Sequence, residues 1–437
     1  MSPAGSSTFR DGATTASCGE ASYENSSALA RALQRWLIGQ VLRITGNPPI
    51  GVVLPNGEEV CGAEGVPVAR VSIRDRAALW KLLMHCDLHF GDLYSENRVE
   101  IEGDLLAFLE AVYRTMDGST SGRFRWWLQG KLPSLRTNSL AGSRKNIHHH
   151  YDIGNDFYRL WLDDQLLYTC AYYPTEHATL EQAQRAKMDY VCRKIWLRPG
   201  ESVVEAGCGW GGLARHMARH YGARVKALNI SHEQIVYARE AARREGLDNR
   251  VEFIEDDYRN ITGRFDAFVS VGMLEHVGRN HYGELGATVN RCLEKAGRGL
   301  LHSIGRDQPG EINAWIRRRI FPGAYPPTLR EMTQVLEPWG FSVLDVENLR
   351  LHYAQTLRHW LDRFNAAEEE VERMFDPTFV RAWRLYLAGS LAGFTTGWLQ
   401  LFQIVFTRAG LNAVPWTRSR LYIEEEPALG RPAIVAE

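Results

Sequence analysis

Two spacings of apolar residues alternate along the chain from residue 180 onward. Segments with the 3.6-residue period of an amphipathic helix are separated by short apolar runs that are typical of buried strands. The predicted helices are 180–195, 211–221, 231–245 and 281–295, and the predicted strands are 202–206, 223–229, 250–254, 265–271 and 298–304. This alternation predicts an α/β fold with a doubly wound, mostly parallel sheet.

The first part of the chain has a different pattern. Strand-like runs at 50–54 and 68–73 and helical patterns at 77–86 and 105–116 predict a smaller N-terminal α+β domain. Residues 1–26 are rich in Ser, Thr, Gly and Ala, so we expect them to be disordered. Turn-forming segments place the domain boundary between 120 and 145. The predicted units are therefore 27–135, 145–420 and a tail at 421–437.

A helix is also predicted from residue 28 onward. Its apolar residues at helical spacing are Leu29, Leu33, Trp36, Leu37 and Val41, and its basic residues are Arg31, Arg35 and Arg43. We favour a helix that packs its apolar face on the core. The alternative is a helix that lies on an anionic membrane.

The most apolar stretch of the C-terminal part runs from 385 to 406. It is interrupted by Gly389, Gly393, Gly397 and Gln400. Such a sequence predicts a buried helical pair rather than a helix that crosses a bilayer.

Composition narrows the class of protein. A formal net charge of −1 argues against a nucleic-acid partner. The seven cysteines are odd in number and contain no C-x-x-C pair, which predicts a reduced, cytoplasmic protein without a zinc site. The N-terminus has no basic region followed by an apolar run, so no signal peptide is predicted. The tract His148–His150 does not share one helix or strand face and has no partner cluster, so we predict no metal site.

The segment 201–212 (ESVVEAGCGWGG) predicts a nucleotide-binding turn between a strand and a helix. Gly207, Gly209 and Gly212 fit the pattern G-x-G-x-x-G, which is weak by itself. A dinucleotide site would have an acid at the end of the next strand, where this chain has Asn229. Glu205 instead precedes the first glycine and suits a cationic ligand. S-adenosylmethionine, with its sulfonium and ammonium groups, is therefore favoured over NAD.

Further polar residues follow the ends of predicted strands. They are Glu205, Asn229, Asp256, Asp257, Glu275 and His302. Ligands of parallel sheets bind beyond the carboxyl ends of the strands. We therefore expect these side chains to converge on one cleft, although each could be structural when taken alone.

Several ordered segments resemble the cyclopropane-fatty-acyl-phospholipid synthase family, which includes the mycolic acid cyclopropane synthases. They are HYDIGNDF (150–157), YTCAY (168–172), EAGCGWGG (205–212), SVGMLEHVG (270–278), HSIG (302–305), YAQTLRHWLDRF (353–364) and QIVFTR (403–408). The resemblance covers about 145 to 410. HFGDLY (89–94) and IEGDL (101–105) are similar to the small lipid-binding domain of the phospholipid-acting members.

The resemblance implies a reaction. Family members are S-adenosylmethionine-dependent methyltransferases with a Rossmann-like fold. They transfer a methyl group to a cis double bond of a phospholipid acyl chain, and a bound bicarbonate ion removes a proton from the resulting carbocation. By motif match, the residues that hold bicarbonate are Cys170 and Ile304 through backbone groups and Glu275, His302 and Tyr353 through side chains. The resemblance makes Cys170 an anion-site residue rather than a nucleophile.

The resemblance also assigns the cosubstrate contacts. Glu205, Gly207 and Gly209 would hold the methionine end, with Tyr168 and Thr169 closing over it. Asn229, Ser231 and Gln234 would contact the ribose, and Asp256, Asp257 and Tyr258 the adenine. Tyr151 is a further cosubstrate residue. Glu205 stands where the family usually has Asp, and Asn229 where it usually has Thr. For the acyl channel the candidates are Phe157, Trp161, Phe321, Tyr325 and the segment 385–406, all of which also fit an ordinary core.

Some alternatives stay open. Relatives quench the cation differently and give methyl-branched or methylene products, and a non-catalytic lipid-binding protein or a small-molecule methyltransferase would use the same fold. The resemblance implies a peripheral contact with the cytoplasmic face of the inner membrane through the N-terminal domain. It also suggests a homodimer, for which the sequence shows no heptad pattern.

Overall fold

The computed structural model describes residues 18–117 and 153–422. The predicted boundary at 120–145, the His148–His150 tract and Tyr151 lie outside these residues. A seven-stranded sheet forms the larger part of the molecule, with the strand order β10-β11-β9-β8-β5-β6-β7. Its strands are β5 (Ser202–Ala206), β6 (Arg224–Asn229), β7 (Val251–Glu255), β8 (Phe265–Val271), β9 (Leu293–Gly305), β10 (Phe341–Asn348) and β11 (Gln400–Arg408).

The sheet is mostly parallel, as predicted. The strands from β9 through β8, β5 and β6 to β7 pair in parallel, whereas β11 is antiparallel to both β9 and β10. Helices of this part are α4 (Asn155–Arg159), α5 (Leu180–Lys194), α6 (Gly212–Tyr221), α7 (His232–Arg244), α8 (Leu274–Val277), α9 (Tyr282–Cys292), α10 (Leu329–Thr333), α11 (Arg350–Ala366), α12 (Glu368–Met374) and α13 (Pro377–Thr396). The α/β fold class is confirmed.

Local sequence signals explain where the site-forming helices begin. Helix α5 starts with a capping box in which Thr179 accepts from the Gln182 amide while the Gln182 side chain accepts from the Thr179 amide. Helix α7 is capped by Ser231, whose hydroxyl accepts from the amide of Gln234. These caps fix the ends of the two helices next to the carboxyl edge of the sheet.

The prediction of a helical pair over 385–406 is wrong. Helix α13 ends at Thr396, and Gly397 takes a left-handed conformation with φ 91°. The chain then enters β11, which is inserted between β9 and β10 and is buried from Gln400 to Thr407. The sequence of a strand that is buried on both faces is a continuous apolar run. Hydrophobic periodicity alone does not distinguish such a run from the sequence of a buried helix.

The N-terminal unit contains a four-stranded sheet of order β2-β1-β3-β4. Its elements are α1 (Cys18–Ile44), β1 (Ile50–Val53), β2 (Glu59–Cys61), β3 (Ala69–Ile73), α2 (Arg76–Ser95), β4 (Val99–Glu102) and α3 (Leu105–Asp117). Helix α1 begins at Cys18, within the segment that we expected to be disordered. The smaller α+β unit is therefore present as predicted, with a longer first helix.

The N-terminal unit packs on α13 and on residues near 315. Arg381 of α13 donates to the carbonyl oxygen of Tyr94 at 2.7 Å, and Arg319 pairs with Asp92 at 2.9 Å. Gly91 lies against the Trp315 ring so closely that a β-carbon would come within 2.4 Å of it. The contact thus depends on a residue without a side chain.

The apolar residues of α1 do not face the core as favoured above. The exposed fractions of Leu29, Leu33 and Trp36 are 73%, 48% and 58%, and the core contacts are made by Ile38 and Leu42 on the other side of the helix. The favoured interpretation is therefore wrong for these three residues. Within the described residues, no helix combines the length and hydropathy needed to cross a bilayer.

Candidate active site

The glycine turn after β5 has the backbone geometry that its sequence predicts. Gly207 and Gly209 have φ values of 84° and 54°, which side chains disfavour. The amides of Gly207 and Cys208 both donate to the carbonyl oxygen of Leu228 at the end of β6, at 2.9 and 3.0 Å. The turn is thus fixed to the neighbouring strand, and its backbone lies open to a ligand.

A cavity of about 1080 Å³, measured out to its open mouth, lies over this turn. Nearly all of the predicted cosubstrate residues line it: Tyr168, Thr169, Glu205, Gly207, Gly209, Asn229, Gln234, Asp256, Asp257 and Tyr258. We call it the cosubstrate cavity. Residues that sequence reasoning did not assign to it include Lys187, Trp210, Met273 and His276.

One predicted cosubstrate residue lies outside the lining of the cavity. Ser231 is fully buried, and its hydroxyl caps α7. Its contact with the ribose stays a prediction. Tyr151 cannot be placed because it lies outside the described residues.

Glu205 is buried at the cavity with one oxygen unused. Its Oε2 has no hydrogen-bond partner among the described residues. Burial raises the pKa of the Glu205 carboxyl to about 7, against the opposing effect of the charges of Lys187 and Arg215. A cationic ligand would supply the missing partner and favour the ionised form.

The side-chain amides of Asn229, at the end of β6, and Gln234 are hydrogen-bonded to each other. The Asn229 Nδ2 donates to the Gln234 Oε1 at 2.6 Å and to the Gly209 carbonyl at 3.3 Å, while its Oδ1 accepts from the Ile230 amide. Asn229 therefore fixes the glycine turn and orients Gln234, which also lines the cavity. No acid stands here, as the sequence indicates.

The acids after β7 are largely occupied by local bonds. Asp257 accepts from the Arg259 amide at 3.0 Å and pairs with the Arg259 guanidinium at 3.2 Å. Asp256 accepts from the Asp257 amide and from Asn260. Burial raises the pKa of Tyr258 to about 12, so its hydroxyl is neutral. These residues form a polar edge of the cavity in which the carboxylates also hold the loop.

The candidate proton-handling residues do not line the cavity. Glu275 and His302 are both buried and both are bonded at the carboxyl end of β9, where the His302 carbonyl accepts from the Gly272 amide at 2.8 Å. The Glu275 Oε1 accepts from the Ile304 amide at 2.6 Å. Oε2 of Glu275 and Nε2 of His302 have no partner among the described residues. We call this pair and its immediate neighbours the Glu275–His302 cluster.

Burial sets the protonation states of Glu275 and His302. Burial raises the pKa of Glu275 to about 7 and, together with the charges of Lys187 and Lys194, holds the pKa of His302 well below its usual range. The Gln403 amide, placed with its nitrogen toward the ring, donates to the His302 Nδ1 at 2.9 Å. The neutral ring then carries its proton on Nε2 and presents a donor.

The other two predicted residues approach the same end of β9 through shared neighbours. The Cys170 Sγ lies 3.1 Å from the Ala171 carbonyl and 4.0 Å from that of Leu349, which also accepts from the Tyr353 amide. The Leu349 amide donates to Leu401, and Leu401 pairs with Ile304 in the sheet. Burial raises the pKa of the Cys170 thiol well above its usual range, so it stays protonated.

The acyl-channel candidates separate into two groups. Phe157 and Trp161 are fully buried in an aromatic cluster and belong to the core, and Tyr325 is bonded to Glu331 at 3.0 Å. Phe321 instead lies with its ring 5.7 Å from that of His276, which lines the cavity, and 5.5 Å from Tyr386. Near Tyr353, the ring of Phe394 lies at 4.5 Å.

Known proteins are similar to this chain in sequence and in architecture. A family model described as mycolic acid cyclopropane synthetase matches residues 138–404. The chain belongs to this family. A "probable fatty acid methyltransferase" of Pseudomonas putida is 34% identical over 82% of this chain and 92% of its own length. The cyclopropane-fatty-acyl-phospholipid synthase of Escherichia coli K12 is 40% identical over 61% of this chain and 68% of its own length.

The mycolic acid cyclopropane synthetase family also supplies similar solved structures. The mycolic acid cyclopropane synthase CmaA1, complexed with SAH and CTAB, has a TM-score of 0.59 and 28% sequence identity. The match covers 61% of this chain and 98% of the CmaA1 chain. The protein is thus an S-adenosylmethionine-dependent methyltransferase of a family that acts on lipids. The lining of the cavity fits this cosubstrate, because it contains both an unpartnered Glu205 oxygen that can pair with a cationic group and the glycine turn.

Proposed function

We propose that this enzyme transfers the methyl group of S-adenosylmethionine to a cis double bond in an acyl chain of an unsaturated phospholipid and forms a cyclopropane ring. The observation that carries the proposal is the Glu275–His302 cluster, in which two buried residues at the carboxyl end of β9 each keep one polar side-chain atom without a hydrogen-bond partner among the described residues. The name of the Escherichia coli relative supports the phospholipid substrate.

An alkene is a weak nucleophile, so the enzyme must hold it in line with the methyl group. Positioning of this kind is worth about 7–11 kcal/mol in favourable cases. We propose that the chain passes along two aromatic contacts: the ring of Phe321 lies against His276 of the cavity and against Tyr386, and the ring of Phe394 lies against Tyr353. Such a path would also keep water from the carbocation.

The carbocation must then lose a proton, for which we propose a bicarbonate ion as acceptor. The residues that would hold it are Glu275, His302 and Tyr353 through side chains, with Cys170 and Ile304 contributing backbone groups. The His302 Nε2–H would donate to the ion, and the Glu275 carboxylate would accept the ion's own proton. The protonated thiol of Cys170 supports a binding rather than a nucleophilic role.

The test is a product analysis. The protein would be incubated with S-adenosylmethionine and vesicles of cis-unsaturated phospholipid, with saturated phospholipid as the control. We expect a mass gain of one CH₂ in the unsaturated acyl chains alone, and NMR signals of a cyclopropane ring. Absence of turnover on any cis-unsaturated phospholipid would contradict the proposal.

A methylene or methyl-branched unsaturated product, which forms when the carbocation loses a proton without closing a ring, is the second candidate. It is favoured by the Pseudomonas putida relative, which matches most of this chain and is named a probable fatty acid methyltransferase. The same product analysis separates the candidates, because an alkene signal in place of ring protons would identify a methylene group.

We also propose that helix α1 places the enzyme on an anionic lipid surface at the cytoplasmic face of the membrane. Leu29, Leu33 and Trp36 form an exposed apolar stripe, and Arg31 and Arg35 are exposed on the opposite face of the helix. An apolar face opposite a face with basic residues is the pattern of helices that lie in a membrane interface. The bacterial relatives' phospholipid substrates would be reached from such a position.

Flotation with anionic vesicles tests this contact. The triple change Leu29→Gln, Leu33→Gln and Trp36→Gln should abolish flotation, and Trp416→Gln, at a tryptophan that is 99% exposed, should leave it unchanged. If the triple variant floats normally, α1 is not the membrane contact. If it instead loses only self-association, the stripe is an interface between two copies of this chain.

A further inference from the structure

A buried lysine lines the cosubstrate cavity and has no assigned role in the reaction. Lys187, on helix α5, is almost completely buried. Its Nζ donates to the hydroxyl of Thr169 at 2.8 Å, and both residues belong to the cavity lining. An ammonium group has three N–H donors, so one bond to a hydroxyl leaves donors available.

The same helix provides a second buried lysine for comparison. Lys194 is equally buried, and its Nζ lies 2.6 Å from Glu347 and 3.9 Å from Asp345. Lys187 differs, because no carboxylate of the described residues lies within 4.0 Å of its Nζ. Burying a charge without an ion partner costs folding free energy. Such groups therefore occur at functional sites, where a ligand supplies the partner.

The surroundings of Lys187 do not offer that partner from within the protein. Asp163 accepts from the backbone amides of Gln165 and Leu167, at 3.0 and 2.8 Å. Burial lowers the pKa of Lys187 to about 8, while the charges of Asp163 and Glu205 act in the opposite direction. Lys187 and Glu205 therefore place one positive and one negative group at the same cavity, without a direct ion pair between them.

Two separate opposite charges match an amino-acid zwitterion. We propose that Lys187, together with the Thr169 hydroxyl, binds the α-carboxylate of the cosubstrate, while Glu205 receives the α-ammonium group. This proposal deepens the assignment of the cavity to S-adenosylmethionine and depends on that assignment. It makes Lys187 a specificity-determining residue for ligands that carry an intact amino-acid end.

The experiment compares three ligands by calorimetry: S-adenosylhomocysteine, its decarboxylated analogue, and 5′-methylthioadenosine, which lacks the whole amino-acid end. The wild-type protein should bind S-adenosylhomocysteine at least about tenfold more tightly than the decarboxylated analogue, as a charge-assisted contact predicts. In Lys187→Met that preference should disappear, with affinity for 5′-methylthioadenosine unchanged.

Lys194→Met is the matched control. It removes an ammonium group of equal burial from the same helix, so it should lower thermal stability and leave the preference for the carboxylate intact. Lys187→Met should not lower the stability of the ligand-free protein, because it removes a charge without an ion partner. If Lys187→Met nevertheless folds poorly, Lys187→Gln with the same three ligands gives the same comparison.

Two results would overturn the proposal. One is a loss of affinity in Lys187→Met that is equal for S-adenosylhomocysteine and its decarboxylated analogue, which would indicate a structural role. The other is an unchanged preference for the carboxylate. Failure of the wild-type protein to bind any of the three ligands is a distinct result, because it would reject the cosubstrate assignment itself.

Discussion

The cosubstrate cavity and the Glu275–His302 cluster differ in the charges of their groups. The cavity is open and contains Lys187, which is protonated at neutral pH with a pKa of about 8, and Glu205, whose pKa of about 7 leaves it partly ionised until a cationic ligand binds. The cluster is buried and contains a neutral His302 and the carboxyl group of Glu275. The cavity therefore suits a zwitterionic ligand, and the cluster suits a small partner that exchanges hydrogen bonds and protons.

We expect the cavity to determine cosubstrate binding and the cluster to determine the rate of the chemical step. Substitutions in the cavity should change the affinity for the cosubstrate, whereas substitutions in the cluster should change kcat. A variant that affects both equally would erase the distinction between the two regions.

The largest effect is expected from His302→Ala. Removal of one preorganised donor to an anion costs on the order of 100-fold in kcat. The dissociation constant for S-adenosylhomocysteine should stay unchanged, since His302 does not line the cavity. Product formation followed by mass spectrometry, together with calorimetry, checks both values. His216→Ala, at a buried histidine paired with Asp189 at 2.8 Å, is the control and should retain kcat.

Glu205→Gln should have the next largest effect, on affinity. Replacing a carboxylate that faces an ammonium group by a neutral amide should weaken binding of S-adenosylhomocysteine about 10- to 100-fold. Glu275→Gln is the matched control, because its carboxyl is equally buried but lies outside the cavity lining. Equal weakening by both substitutions would show that the two regions bind the cosubstrate together.

The pH dependence of binding should show a smaller effect. Because the Glu205 pKa of about 7 lies above the ordinary value, the carboxyl is protonated at lower pH, and ligand binding must ionise it. Affinity for S-adenosylhomocysteine should thus rise about tenfold between about pH 5.5 and pH 7, a range in which Lys187, with a pKa of about 8, stays protonated. In Glu205→Gln this rise should vanish. A rise that persists in the variant would assign the titration to another group.

The smallest effect is expected from Cys170→Ser. The thiol is protonated and donates to the Ala171 carbonyl, a bond that a hydroxyl can also make. We expect kcat to fall by less than about tenfold, which is the scale of one neutral hydrogen bond. Complete loss of activity, with a covalent adduct on Cys170 detectable by mass spectrometry in the wild type, would reverse this interpretation.

The residues of the cavity could be predicted because they follow parallel strands. Glu205, Asn229 and Asp256 lie at or just after strand ends, and the carboxyl ends of parallel strands share one edge of the sheet. Recognising the strands therefore also located the side chains. The family resemblance added Tyr168 and Thr169, which no strand pattern indicates.

Lys187 was missed because a lysine on an amphipathic helix is usually solvated. The signal was present, since Ala183, Lys187 and Val191 are spaced by four residues and lie on one buried face of α5. A lysine on the apolar face of a predicted helix indicates a buried ammonium group, which needs a polar or charged partner. The helix cap at Ser231 was missed for a related reason, because the resemblance had already assigned that serine to the ribose.

Strand β11 has a consequence for synthesis of the enzyme. It is the last strand along the described part of the chain, yet it lies between β9 and β10 and carries Gln403, which is bonded to the His302 ring. While a ribosome still holds residues 400–408, β10 has no neighbour in the sheet and the histidine ring has no amide to fix it. The nascent protein can form its glycine turn earlier, but the surroundings of His302 are complete only after residues 400–408 have left the ribosome.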